Sequence, residues 1–158
     1  MQFQRDAKFK EVARQLGYNF DGEIKIGGNY VSVVRNGDQM FVSGQIPRVG
    51  NEVVVAGRVG EAIGLSKAQL AAKVCAMRAL ALLQQSLGTL EKVRSILRIT
   101  VFVQCAQDFT QQSEVSDGAS EVLYSVLGEA GRHTRTSVGV FQLPKNASVE
   151  LDLIATVE

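Results

Sequence analysis

Residues 133–158, HTRTSVGVFQLPKNASVELDLIATVE, contain two runs of alternating character. Thr136, Val138 and Val140 alternate with Ser137, Gly139 and Phe141; further on, Val149, Leu151, Leu153, Ala155 and Val157 alternate with Glu150, Asp152 and Ile154. A period of two over this length reads as half-buried β-strand. Arg135 starts the first strand and Glu150 stands near the start of the second. A guanidinium at a strand end can grip a carboxylate or phosphate through two parallel hydrogen bonds, and a carboxylate nearby can orient or activate a water. The plainer alternative is an edge-strand salt bridge on a solvated face. If the two strands formed a simple hairpin, residue 135 would lie opposite about residue 156, leaving Glu150 roughly 20 Å away along the strand. Either the strands are not direct neighbours, or a site using both charges draws them from different chains.

Working back towards the N-terminus, GASEVLYSVL reads as a helix over about 116–127 that stops at Gly128. SILRITVFVQC, with β-branched residues in alternation, reads as a central strand. Ser66 followed by Gln69 forms a capping-box pattern ahead of LAAKVCAMRALALLQQSL, which predicts a long helix ending at Gly88 and covering the sheet. EVVVAGRV predicts a further strand, and YVSVVRN and QMFVSG flank an Asn36-Gly37 turn as a β-hairpin. Phe9, Val12, Ala13 and Leu16 recur at helical spacing before Gly17, so residues 1–17 are expected to be a helical extension packed on the outside of one domain spanning 1–158. This order argues for an α+β fold, a mixed sheet with helices on one face. Ile154, and Phe141 on the Arg135 side of its strand, leave the second face only partly polar. Packing against sister subunits is the simplest cover for it.

A chain of 158 residues is long enough to bury roughly 70% of the surface its unfolded form exposes. Seventeen Lys and Arg against sixteen Asp and Glu leave a formal charge of +1, too little to draw nucleic acid or anionic lipid from a distance. Only Lys92, Arg94 and Arg98 make a local basic cluster. Cys75 and Cys105 fall in apolar periodic segments without metal-ligand spacing and read as buried free thiols in a reducing compartment. With a single histidine, His133, neither a His metal cluster nor a catalytic His pair can form within one chain. The charged start MQFQRDAKFK is unlike a signal peptide, and no apolar run approaches membrane length, so the expectation is a cytoplasmic protein without membrane or nucleic-acid partners.

Three blocks carry a family resemblance: FVSGQIP at 41–47, ITVFVQCAQDF at 99–109, and R-x-x-V-x-V-x-x-L-P with V-E-L-x-x-I-A at the end. With them, from about Gly28 onward, the chain resembles the Rid/YjgF family, also called endoribonuclease L-PSP, in its longer bacterial subgroup. The resemblance implies a chorismate-mutase-like α+β fold assembled as a homotrimer, with clefts between neighbouring subunits. It also implies cofactor-independent hydrolysis of reactive enamines and imines to 2-oxo acids and ammonia. By the same resemblance Arg135 holds the substrate carboxylate and Glu150 stands beside the attacking water, while Tyr30, Ser43 and Gly44 line the cleft.

Three positions depart from the shorter members. Asp117 stands where those carry asparagine, Ser137 replaces a cysteine, and His133-Thr134 replaces Pro-Ala. A carboxylate 4 Å from the substrate's acid group would repel it by about 4 kcal/mol at an intermediate dielectric. Asp117 is therefore read either as a cleft residue or as a helix N-cap, and His133 as lining the cleft entrance or as structural. The alternatives to an enamine/imine deaminase are a non-catalytic binder of small carboxylate metabolites, towards which Asp117 tilts, and, with less support, a ribonuclease.

Overall fold

The two alternating runs become strands of one sheet, but a third strand separates them. The computed structural model describes residues 4–158. In chain order, helix α1 (Gln4–Leu16) precedes strands β1 (Val33–Asn36), β2 (Gln39–Gln45), β3 (Arg48–Val49) and β4 (Glu52–Val53). Helix α2 (Leu65–Leu87), strand β5 (Val93–Gln104), helix α3 (Gln112–Leu127) and strands β6 (Thr134–Val140) and β7 (Val149–Val157) follow. The main sheet runs β1-β2-β7-β5-β6, with β5 and β6 parallel and every other pair antiparallel. A parallel pair needs a crossover, which α3 supplies; β7 then inserts between β2 and β5.

The core lies between this sheet and helices α2 and α3. Val149, Leu151, Leu153, Ala155 and Val157 of β7 are buried together with Ile99, Val101 and Val103 of β5 and the apolar length of α2. Met77, Leu80 and Leu83 of α2 are fully buried, each worth about 1.5–3 kcal/mol in transfer free energy. The helix stops at Gly88, whose φ of +86° only glycine adopts without strain. Helix α1 docks through Asp6, which accepts hydrogen bonds from the Leu90 N–H (3.0 Å), Gln84 Nε2 (2.8 Å) and the Thr89 hydroxyl. Phe9 anchors it, edge-on to Phe20. Residues 1–3 of the expected N-terminal extension lie outside the described residues.

Several expectations need correction. Asn36 pairs with Gln39, so the hairpin turn is Gly37-Asp38, with the positive φ on Gly37. The predicted strand at 52–59 stops after Val53, paired only with β3. Gly57 and Gly60, at φ +118° and +92°, then break the extended run, and its backbone bonds go to Asn146 and Gln104 instead. The capping box does not form, because α2 begins at Leu65 behind Gly64, and the Gln69 amide donates to the Glu114 carbonyl (2.8 Å). Helix α3 starts four residues early, at Gln112, so Asp117 lies inside it and cannot be its N-cap. Cys75 is buried as expected, but Cys105 is only half-buried.

Phe141 also moves relative to the expected second face. Arg135 pairs with Ile99, which is buried beneath the helices, so residues of its parity point to the helix side. Phe141 follows that parity beyond the strand end and stands 85% exposed with the Arg58 guanidinium 5.2 Å from its ring centre. Val34, Phe41, Phe102, Val138 and Ile154 are among the apolar residues of the opposite face.

Candidate functional site

Strand parity decides which of the foreseen site residues can meet. Arg135 lies opposite Ile99 and Glu150 opposite Phe102 on the shared neighbour β5. Directly opposed residues share a face and successive residues alternate, so positions three apart on β5 mark opposite faces. Arg135 therefore points towards α3, and Glu150 points away from the helices. Their α-carbons are also separated by two strand spacings and three residues, roughly 14 Å. One small molecule cannot touch both within a single chain.

Glu150 belongs to a cavity of about 520 Å³ with Tyr30, Ser43 and Gly44. Ser43 and Gly44 form a bulge where β2 slips by one residue against β7, since Val42 pairs with Leu153 but Gln45 with Leu151. The bulge lets the Glu150 side chain lie against the backbone of residue 44. A Cβ on Gly44 would stand 2.9 Å from the Glu150 carboxyl carbon, so any other residue would push the carboxylate away. Burial raises the Glu150 carboxyl above the usual glutamate value, and neighbouring Asp152 pushes the same way. Such a group exchanges a proton more readily near neutrality than an exposed glutamate does.

The same cavity carries cations that the sequence reading did not single out: Lys25, Arg48, Arg78 and Lys145. Arg78 projects from the apolar face of α2 and is 4% exposed. Its Nε donates to Gln45 Oε1 (3.2 Å), Nη1 to the Arg48 carbonyl (2.6 Å) and Nη2 to the Lys25 carbonyl (2.8 Å). Gln45, itself buried, donates in turn to the Ser43 hydroxyl (3.2 Å) and carbonyl (3.1 Å), so Arg78 braces the bulge at one remove. The legible signal was an arginine inside CAMRALALL, a charge on a face that otherwise only packs.

The remaining candidates gather at the junction of α3 and β6. Arg135 Nη1 donates to Asp117 Oδ1 (2.9 Å) and Ser120 Oγ (3.0 Å), and Nη2 to Ser113 Oγ (2.8 Å) and carbonyl (3.2 Å). Four of the five N–H donors a guanidinium possesses are thus used inside the chain. Asp117 is the more exposed partner of the ion pair, 63% against 21% for Arg135. Ser137 donates to Ser116 Oγ (2.7 Å). His133 Nδ1 lies 2.6 Å from the Gly131 carbonyl, which can only accept, so Nδ1 carries a proton; Nε2 meets Ser120 Oγ at 2.8 Å, and the ring tilts against Tyr124. Arg135 joins Asp117 directly and His133 through Ser120, Ser137 bonds separately to Ser116, and all four lie outside the Glu150 cavity.

A second cavity, of about 610 Å³, lies at the end of β6 between Arg58, Cys105, Phe109 and Phe141, and includes none of the foreseen site residues. No group of three or more His, Cys, Asp or Glu able to hold a metal occurs among the described residues. No helix among them is long and apolar enough to cross a membrane.

Comparison with known proteins agrees with this architecture. Residues 13–157 match the family described as "YjgF/chorismate_mutase-like, putative endoribonuclease". Protein TCP17 of Trypanosoma cruzi is 39% identical over 142 residues, covering 89% of each chain. The crystal structure of Atu1372 from Agrobacterium tumefaciens superposes with a TM-score of 0.87 at 36% identity, over 98% of this chain and 92% of that one. A Shewanella oneidensis protein bearing the same endoribonuclease label also gives a TM-score of 0.87, at 26% identity, over 94% and 99% of the two chains. With its mixed sheet, its three α-helices and a match that runs through all seven strands, the chain belongs to the YjgF/chorismate mutase-like family.

Proposed function

We propose that this protein hydrolyses reactive enamines and imines of small amino-acid origin to 2-oxo acids and ammonia, without a cofactor, in a cleft between copies of the chain in a homotrimer. The observation that carries the reading is the Glu150 carboxyl, half-buried in a cavity with Tyr30 and Ser43 and seated on a glycine that leaves it room. A protonated imine carbon is already electrophilic, so the protein has only to hold the substrate, exclude bulk water and orient one water. Water adds to that carbon as Glu150 takes one of its protons and returns it to the carbinolamine nitrogen; Glu150 then takes the hydroxyl proton as C=O forms and the C–N bond breaks, and that proton leaves on the ammonia as ammonium. Arg135 enters from a neighbouring copy, which fits its place on the opposite face of the sheet and on the edge strand β6. Only its Nε–H is unused, so to grip a carboxylate with two parallel bonds it must release at least one of its bonds to Asp117, Ser120 or Ser113.

The test is to add the purified protein to a threonine or serine dehydratase and follow 2-oxo acid release. Acceleration that disappears in both Glu150→Ala and Arg135→Ala supports the proposal, and no acceleration by the wild type refutes it. The Arg135–Asp117 pair favours a second reading, in which the cleft binds a small carboxylate for sensing or transport. That reading expects thermal stabilisation by 2-oxo acids without turnover. A ribonuclease role has less support: both ring nitrogens of the one histidine are engaged with Ser120 and Gly131.

A further inference from the structure

Two guanidinium groups wall the Glu150 cavity without a counter-ion. Arg78 is buried among three neutral acceptors, and neither it nor Arg48 forms an ion pair among the described residues. The Nε of Arg48 is buried and has no hydrogen-bond partner, a defect that costs about 1–3 kcal/mol and is uncommon in native proteins. Burial and the nearness of Arg48 both work against the charge on Arg78. Arg48 and Arg78 also form a wall shared with an adjoining cavity of about 320 Å³, whose lining includes Glu23, an exposed carboxylate paired with neither.

The other cations at the cavity add to the imbalance. Lys145 lies on a loop held in the left-handed region at both Lys145 (φ +57°) and Asn146 (φ +59°), which disfavours a lysine by about 1–2 kcal/mol. Asn146 is fixed there by Gln104 (2.7 Å) and by the Gly57 N–H (2.8 Å), so the surrounding structure imposes the conformation. Lys25 bonds the Asn51 side chain, a neutral partner. Four cations therefore line a cavity whose only carboxylate is Glu150.

We propose that Arg48 and Arg78 form a second anion subsite in this cavity, so that the ligand it takes is a small dianion, with one acid group at that pair and a reactive or polar centre at Glu150. The inference rests on the proposed function for the identity of the site and adds the substrate class. Arg48 is the binding residue through its Nη groups, which no acceptor among the described residues engages, while its Nε is closed to solvent; Arg78, committed to Gln45 and two carbonyls, supplies charge. The second acid group is a carboxylate or a phosphate.

Calorimetric titration of the wild type at low salt with propionate, succinate and 2-phosphoglycolate tests this directly. Succinate or phosphoglycolate should bind at least tenfold more tightly than propionate, and whichever of the two is tighter identifies the second acid group. Arg48→Met should bring the dianion down to the propionate level, with Arg48→Lys in between. Equal affinity for propionate and both dianions overturns the inference, as does a folded Arg48→Met that keeps the preference. The wild-type series decides the question even if that variant folds poorly. Imine hydrolysis without dianion preference would sink the subsite and leave the deaminase; Arg48-dependent dianion binding without hydrolysis would do the reverse.

Discussion

Replacing Asp117 by Asn separates a structural partner of Arg135 from a competitor of its substrate. The pair is 2.9 Å apart, but Asp117 is 63% exposed, so the ion pair contributes at most about 1 kcal/mol to stability. For a protein of this size that lowers the melting temperature by no more than about 4 °C, and less if the asparagine oxygen still accepts from Nη1. The effect on binding should be of opposite sign and similar size. A ligand carboxylate drawn to Arg135 comes within about 4 Å of Asp117, where repulsion is about 1 kcal/mol at the dielectric of water and about 4 kcal/mol at an intermediate value. Exposure puts Asp117 near the lower figure, so the variant should bind pyruvate or 2-oxobutyrate about fivefold more tightly at low salt and with stronger salt dependence, because the uncompensated Arg135 charge then attracts the anion. Calorimetry across a salt series, beside thermal melts of the same samples, measures both quantities. If Asp117→Asn folds normally yet binds these acids no better than the wild type, Arg135 is not the clamp, and its role is to fasten β6 to α3.

Gly44→Ala should lower dehydratase-coupled turnover at least tenfold with little change in melting temperature, because the added Cβ displaces the Glu150 carboxylate; a kinetic assay beside a thermal melt checks it. Glu150→Gln should abolish turnover yet stabilise the fold at neutral pH. Burial raises this carboxyl, so the native state is relatively favoured below the unfolded value and loses that advantage as pH rises through the folded one. The gain from Glu150→Gln should therefore vanish in denaturant titrations below about pH 4. Asp6 behaves oppositely. Although burial works against its charge, hydrogen bonds from Leu90, Thr89 and Gln84 hold it below the usual aspartate range. Its contribution is present above the unfolded value and is lost as pH falls through the folded one, and Asp6→Ala should cost about 2 kcal/mol at pH 7, read by urea unfolding.

The alternation in residues 133–158 carried the β6 and β7 strands, and the helical spacing around Phe9 carried α1, because both patterns record which side of an element meets the core. The 52–59 run misled: Val53, Val54 and Val55 have strand character, but two glycines at positive φ turn the chain out of the sheet. Helix starts were the weakest reading, since Gly64 and Gln111 provide no side-chain cap. At the site, Tyr30, Ser43, Gly44 and Glu150 were foreseen, and the structure brings them to one cavity. The partnership of Arg135 with Asp117 was not, because a helix boundary misplaced by four residues made Asp117 look like a cap. Nor could sequence separate the two faces: strand order, with β5 between β6 and β7, is a property of topology that no local pattern encodes. The buried Arg78 and the unpartnered Arg48 depend on contacts between residues thirty positions apart.

The middle strand of the five-stranded sheet, β7, is also the last element in chain order. During synthesis, β1 and β2 can pair early and β5 can join β6 across α3, but those two halves have no strand to link them until residues 149–157 have left the ribosome. Until then β2 and β5 each present an unpaired inner edge, the kind that recruits other nascent chains. A chain cut before residue 149 would therefore keep the β1-β2 hairpin and the β5-α3-β6 unit on one polypeptide, with no strand to join them into a sheet.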